Sequence, residues 1–182
     1  MDYFEMRAFY ISGMFIFWLS YILFRYNSDK SVLKFWGFKK EGFRPSFTIL
    51  LPFVFLTIAA SLVYGYYTDN LLLNWHMLPI LLLYPLWGIF QQFFMLSLVA
   101  QNLKGLNKIV ILLITSSLFS LIHYPSLFLI IFTFFLELIF ILVYFKWKNL
   151  WVLGIVHGWI ASFLLFYVLG RDLWLELFAW FK

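Results

Sequence analysis

Residues 85–101 read PLWGIFQQFFMLSLVAQ, and two adjacent amides, Gln91 and Gln92, stand inside a run that is otherwise almost wholly apolar. Both side chains demand hydrogen bonds, so what they mean depends on the solvent around the run. The composition identifies that solvent. Of the 182 residues, 65% are hydrophobic, 25% aromatic and only 12% charged, with a mean hydropathy of +0.95. Soluble domains carry roughly 25% charged and 45–50% apolar residues. A chain of this size cannot hide such an excess in a core, because too much surface remains to be covered. The sequence is that of an integral membrane protein.

Six segments are long and apolar enough to read as spans of a bilayer whose hydrocarbon is roughly 30 Å thick: about 8–25, 46–67, 77–102, 108–123, 127–145 and 150–169. The expected fold is all-α, a polytopic bundle of about six transmembrane helices forming one membrane-embedded domain over 1–182. The fourth span is the shortest, and HYPS at 123–126 breaks it, since Pro125 disfavours helix at Tyr124. There is no cysteine, which excludes disulfides and thiolate metal sites. The N-terminus opens with acids rather than lysines and shows no small-residue cleavage site, so it is not expected to be a cleaved signal.

Lysine and arginine set the expected orientation. The first loop carries Arg25, Lys30, Lys34, Lys39, Lys40 and Arg44, the third Lys104 and Lys108, the fifth Lys146 and Lys148. The alternate loops YTDNLLLNW and HYPS carry neither residue. Basic loops inside and both termini outside are therefore expected, in the plasma membrane of a bacterium or archaeon. The net charge of +5 reflects this placement and no nucleic-acid partner is expected. The aromatics of the first loop, Phe35, Trp36, Phe38 and Phe43, fit either a segment lying on the anionic inner leaflet or a topology determinant with interfacial rings. The tail RDLWLELFAWFK reads as a short interfacial helix anchored by Trp174 and Trp180.

Five large polar side chains fall inside the expected spans: Gln91, Gln92, His123, Glu137 and His157. Such groups are costly in hydrocarbon and usually face the bundle interior or a wet cavity. Counting at 1.5 Å per residue from the basic ends puts Gln91 about 20 Å from Lys104 and His123 about 22 Å from Lys108. Glu137 and His157 come out about 13 Å from Lys146 and Lys148. Two layers roughly 8 Å apart result, bridgeable by long side chains and tilt. Structural roles are open to four of the five. Glutamines glue helices at about a kcal/mol or less per bond, His123 can satisfy carbonyls at a helix end, and His157 lies between Gly154 and Gly158. Glu137 reads as functional. The small hydroxyls Ser97, Thr115, Ser116, Ser117 and Thr133 can bond their own helices, and His76 beside Trp75 reads as interfacial.

Two imidazoles can hold a divalent metal such as zinc, for which Glu137 would supply the third ligand of a catalytic site. Without a metal, hydrolysis needs a base and oxyanion donors. Carboxylate or imidazole can be the base, whereas an amide can only donate, accept and position.

FSLIHYP (Phe119 to Pro125) resembles the Phe-x-x-x-His motif of the CPBP family, the CAAX-protease and bacteriocin-processing membrane proteins, also called Abi. KNLWVLGIVHGW resembles its last motif, and GIFQQFFML falls where the family places Glu-Glu-x-x-x-Arg. Order and spacing fit from Trp87 to the end of the sixth span, within a family-like core of about 77–169. The resemblance implies an intramembrane endopeptidase, or an immunity or maturation factor, with a membrane-embedded site. The sequence departs from the motif in that Gln91 and Gln92 take both glutamate positions, Leu96 the arginine position, and Ala161 a position that is usually polar.

Three explanations of the amides are open: an inactive relative that keeps the cavity for binding, a subfamily in which Glu137 has taken over as base, or a deliberate Glu→Gln trap. Loss of the arginine as well favours natural divergence. The expectations are His123, His157 and Glu137 as catalytic groups, Gln91 and Gln92 as substrate-binding groups, and His123 and His157 as ligands if a metal is held. The substrate expected is a membrane-associated peptide or a prenylated or lipid-linked protein. A catalytically inactive binding or immunity protein and a small proton-linked transporter are the rival readings.

Overall fold

The computed structural model describes residues 7–70 and 75–178. Among them the chain is helical throughout, without strands. The elements are α1 (Arg7–Ser28), the short α2 (Val32–Trp36), α3 (Phe43–Tyr67), α4 (Met77–Gln92), α5 (Lys108–Leu121), α6 (Leu127–Trp147), α7 (Leu150–Phe163) and α8 (Leu173–Phe178). Two helices widen into π-helix without a break, α4 over Phe93–Ala100 and α7 over Leu164–Val168.

Five of these helices, counting the π continuations, are long and apolar enough to cross a bilayer. The chain is a multi-pass membrane protein. The sixth expected span is α5, with only 14 residues, or about 21 Å of helix. It starts on an Asn107 cap that accepts from Ile109 N–H and stops at the turn containing Tyr124 and Pro125. Ser126 then caps α6 by accepting from Leu129 N–H at 3.3 Å.

Without a hydrophobic driving force between helices in lipid, association depends on close packing of small residues. Here glycines bring α4 and α7 into backbone contact. A Cβ on Gly154 would lie 2.4 Å from Ile89 Cα, one on Gly158 2.5 Å from Pro85 Cα, and one on Gly88 2.4 Å from the Gly154 carbonyl oxygen. The pairings 154 with 89 and 158 with 85 run antiparallel. α5 and α6 form a hairpin beside this pair, and α3 packs along α7. α1 lies at the edge, with none of its apolar window buried.

The first basic loop is also a structural part of the bundle. Trp36 is buried to 3% exposure, with its ring 4.9 Å from that of Phe93. Its carbonyl accepts from Ser97 Oγ and Tyr144 Oη, both at 2.8 Å. Gln101 Nε2 donates to Phe35 O at 2.8 Å. Asn149 Nδ2 reaches the carbonyls of Lys39 and Glu41 at 2.6 and 3.1 Å. Gly37, at φ +98°, accepts from Leu150 N–H at 2.9 Å. A loop of free carbonyls is thus bolted to the bundle end, each bolt satisfying a polar group that burial would otherwise strand.

At the other end α8 docks through His76 Nδ1 and Asp172 Oδ2, 2.6 Å apart, and through the Trp75 and Trp174 rings at 5.4 Å. His76 is therefore tied into the fold rather than merely interfacial. Trp180 lies outside the described residues.

Candidate functional site

The α4–α7 contact sets the site. Side chains on a helix lean toward its N-terminus, so Gln91 folds back alongside α7, and His157 Nε2 meets Gln91 Oε1 at 2.9 Å. An amide oxygen only accepts, so His157 carries its proton on Nε2 and donates it there. One residue on, Gln92 turns the other way. Its Nε2 donates to Glu137 Oε2 on α6 at 3.0 Å, and both side chains are fully buried. The two adjacent amides thus serve two partners on two helices.

His123 sits just past the end of α5. Its Nδ1 lies 2.9 Å from Phe119 O and 3.4 Å from Thr133 Oγ1, while Thr133 itself donates to Leu129 O at 2.6 Å. Both neighbours of Nδ1 therefore act as acceptors, which fixes the proton on Nδ1 and leaves the Nε2 lone pair without a partner among the described residues. The Phe119 ring lies between the two imidazoles, with centroids 5.1 Å from His123 and 5.4 Å from His157.

A cavity of about 480 Å³ is lined by Gln91, His123 and His157, and its wall continues past Ala161 to Arg171 and Glu176. Arg171 and Glu176 form a two-pronged ion pair at 2.8 and 2.7 Å. Gln92 and Glu137 do not line this cavity. They stand in its packed wall, where among the described residues Gln92 Oε1 and Glu137 Oε1 have no hydrogen-bond partner. Of the five expected site residues, then, three share one chamber and two form a buried pair behind it. The two layers inferred from residue counting are joined by the Gln91–His157 and Gln92–Glu137 bonds.

A catalytic zinc takes three protein ligands and an open position. Among the described residues no three His, Cys, Asp or Glu side chains converge. The third donor anticipated, Glu137, is engaged by Gln92, and the His157 Nε2 proton is directed at an amide. The residues present do not fit a resident zinc.

Reading residues one at a time missed Thr133 as the second neighbour of His123. It also missed the network of Gln101, Tyr144, Ser97 and Asn149 under the bundle. Ser97 was expected to bond its own helix; it bonds Trp36 O instead. The only available signal was the position of these polar groups, Gln101 and Asn149 at helix ends and Ser97 and Tyr144 opposite a loop of uncapped backbone.

A family model described as Type II CAAX prenyl endopeptidase Rce1-like matches residues 73–163. This stretch contains α4, α5, α6 and α7 up to its last α-helical residue, and with them Gln91, His123 and His157; the cavity wall extends beyond it through Tyr10 and Ile11 and from Leu164 to Glu176. No curated protein and no solved structure matches the chain.

Proposed function

Because the chain belongs to the Type II CAAX prenyl endopeptidase Rce1-like family, we propose that it hydrolyses a peptide bond of a membrane-associated, prenylated or lipid-linked substrate in the chamber between α4, α5, α6 and α7. The observation that carries this reading is that His123 and Gln91 line one cavity: an imidazole nitrogen with no hydrogen-bond partner among the described residues, and an amide whose oxygen is occupied. With Oε1 accepting from His157, the Gln91 NH₂ group is left to donate.

In the proposed reaction His123 Nε2 removes a proton from water, and the hydroxide adds to the scissile carbonyl carbon. Gln91 Nε2–H donates to the oxyanion that develops, a contact of the kind typically worth 10²–10³ in kcat. As the C–N bond breaks, the imidazolium of His123 returns its proton to the leaving amine. His157 acts as the group that orients Gln91, and Glu137 as the group that holds Gln92 and the α4–α6 contact. The sequence had offered Glu137 for the base role. Its complete burial supports a positioning role instead, and the base role passes to His123.

The proposed setting is a plasma membrane with both termini outside, the substrate peptide and lipids being the partners. A second reading, capture of a peptide without turnover, is favoured by the amides at both positions where the family places carboxylates and by fully buried Leu96 at the arginine position. Cleavage of a prenylated C-terminal peptide in proteoliposomes separates the two. Hydrolysis that disappears in His123→Ala is expected; hydrolysis at the wild-type rate in that variant refutes the assignment. Saturable peptide binding with no cleavage products establishes the second reading.

A further inference from the structure

At the basic end of the bundle, well away from the histidine chamber, a second cavity of about 250 Å³ is lined by Lys104, Ile111, Tyr144, Phe145 and Lys148. Its shape is set by the polar network described above. Gln101 Nε2 donates to Tyr144 Oη at 2.8 Å, and Lys148 Nζ donates to Gln101 Oε1 at 3.2 Å. The same ammonium stands 4.4 Å from the centroid of the Phe35 ring. Lys148 is the first of two residues between α6 and α7 and takes left-handed backbone at φ +51°, a conformation for which glycine or asparagine is the ordinary choice. A long cation there is held at the cavity by Gln101 and the Phe35 ring.

The charge in this corner is one-sided. Among the described residues neither Lys104 nor Lys148 has a carboxylate within ion-pair distance, the nearby acid Glu41 being turned to Lys34 at 4.0 Å. Burial first, then the like charges of Lys104 and Lys39, hold Lys148 down at about 8. Beneath the lysines the cavity wall is hydrocarbon: Ile111 and the Phe145 ring. Because Lys148 lies between the ends of two membrane-crossing helices, the cavity sits at headgroup depth. Two unpaired cations above an apolar wall at that depth match an anionic headgroup with an attached acyl chain. We propose that this cavity is a binding site for one anionic phospholipid, its phosphate on Lys104 and Lys148 and the start of one chain along Ile111 and Phe145.

The test uses the purified full chain in neutral detergent, titrated with dioctanoyl phosphatidylglycerol, dioctanoyl phosphatidylcholine or inorganic phosphate. The unfolding midpoint and the number of lipids retained in native mass spectrometry are read. The expected result is a saturable rise in midpoint with the glycerol lipid alone and one lipid retained. Exposed Lys104 is changed to Gln alone and together with Lys148→Asn, a residue that tolerates the left-handed step. The double variant should weaken the lipid at least tenfold, whereas Lys146→Gln, whose ammonium lies over Trp147, should leave it unchanged. If the choline lipid or inorganic phosphate matches the glycerol lipid, the assignment is overturned. Undiminished affinity in Lys104→Gln and the double variant overturns it as well.

Discussion

A methyl group at Gly154 is the sharpest probe of how the site is held. The Cβ of Gly154→Ala would lie 2.4 Å from both Ile89 Cα and Cγ1 and 2.7 Å from Ile89 N, whereas ordinary contact begins at 3.4 Å. Two of the three atoms are Ile89 backbone rather than the flexible end of a side chain, so α4 and α7 must separate locally by about 1 Å. Overpacking of this kind costs about 1–3 kcal/mol. The same movement stretches the Gln91–His157 bond from 2.9 Å to about 4 Å, beyond hydrogen-bonding range. A misplacement of about 1 Å in a catalytic group can lower turnover by about 10²-fold. The assay is a matched pair of measurements in one detergent, unfolding midpoint and cleavage of a prenylated peptide, with Gly13→Ala as control because nothing lies within 4 Å of the added atom. Gly154→Ala should lose both stability and turnover, while Gly13→Ala should keep both. A Gly154→Ala protein with the wild-type midpoint and rate would refute the claim that this crossing positions the amide.

Three further outcomes follow from other contacts. Gln91→Ala removes the proposed oxyanion donor and should lower kcat by about 10²–10³ with little change in KM; a change confined to KM would point to uniform substrate binding. Glu137→Leu strands the buried Gln92 amide and should cost about 1–3 kcal/mol of stability in thermal unfolding, whereas Glu137→Gln, which can still accept from Gln92, should cost clearly less. Lys148 is held at about 8 in the folded chain, so between there and the ordinary lysine value the unfolded chain binds more protons. Its contribution to stability therefore rises with pH across that window. In lipid-free neutral detergent the midpoint should climb from pH 7.5 to 9.5, and Lys148→Asn should flatten the slope; an equal slope in the variant rejects the assignment.

The bundle and the existence of a buried polar band were legible in the sequence because hydrocarbon allows few alternatives: a span must satisfy its own backbone, and Gln91, His123 and His157 must find company. What could not be read was direction. Gln91 and Gln92 are neighbours of the same type, yet the glycine contact takes one toward α7 while the other meets Glu137 on α6, and nothing in the pair itself distinguishes them. For Glu137, residue counting puts it level with His157, but depth does not say which side of α6 faces the cavity. The docking of the basic loop was not legible because its lysines carry a strong topology signal. The contacts that anchor it depend on backbone carbonyls, which leave no trace in residue identity, and on Trp36 penetrating to Phe93.

The shortness of α5 has a consequence for where the water of the proposed hydrolysis would come from. A helix of about 21 Å stops about 9 Å short of a typical hydrocarbon slab, and lipid around such an element thins to meet it. His123 stands at the end of that helix, on the chamber wall. Thinning of that kind would draw the aqueous phase down as a local dimple toward the imidazole, and the proposed reaction, buried by residue count, would be supplied from a nearby shore.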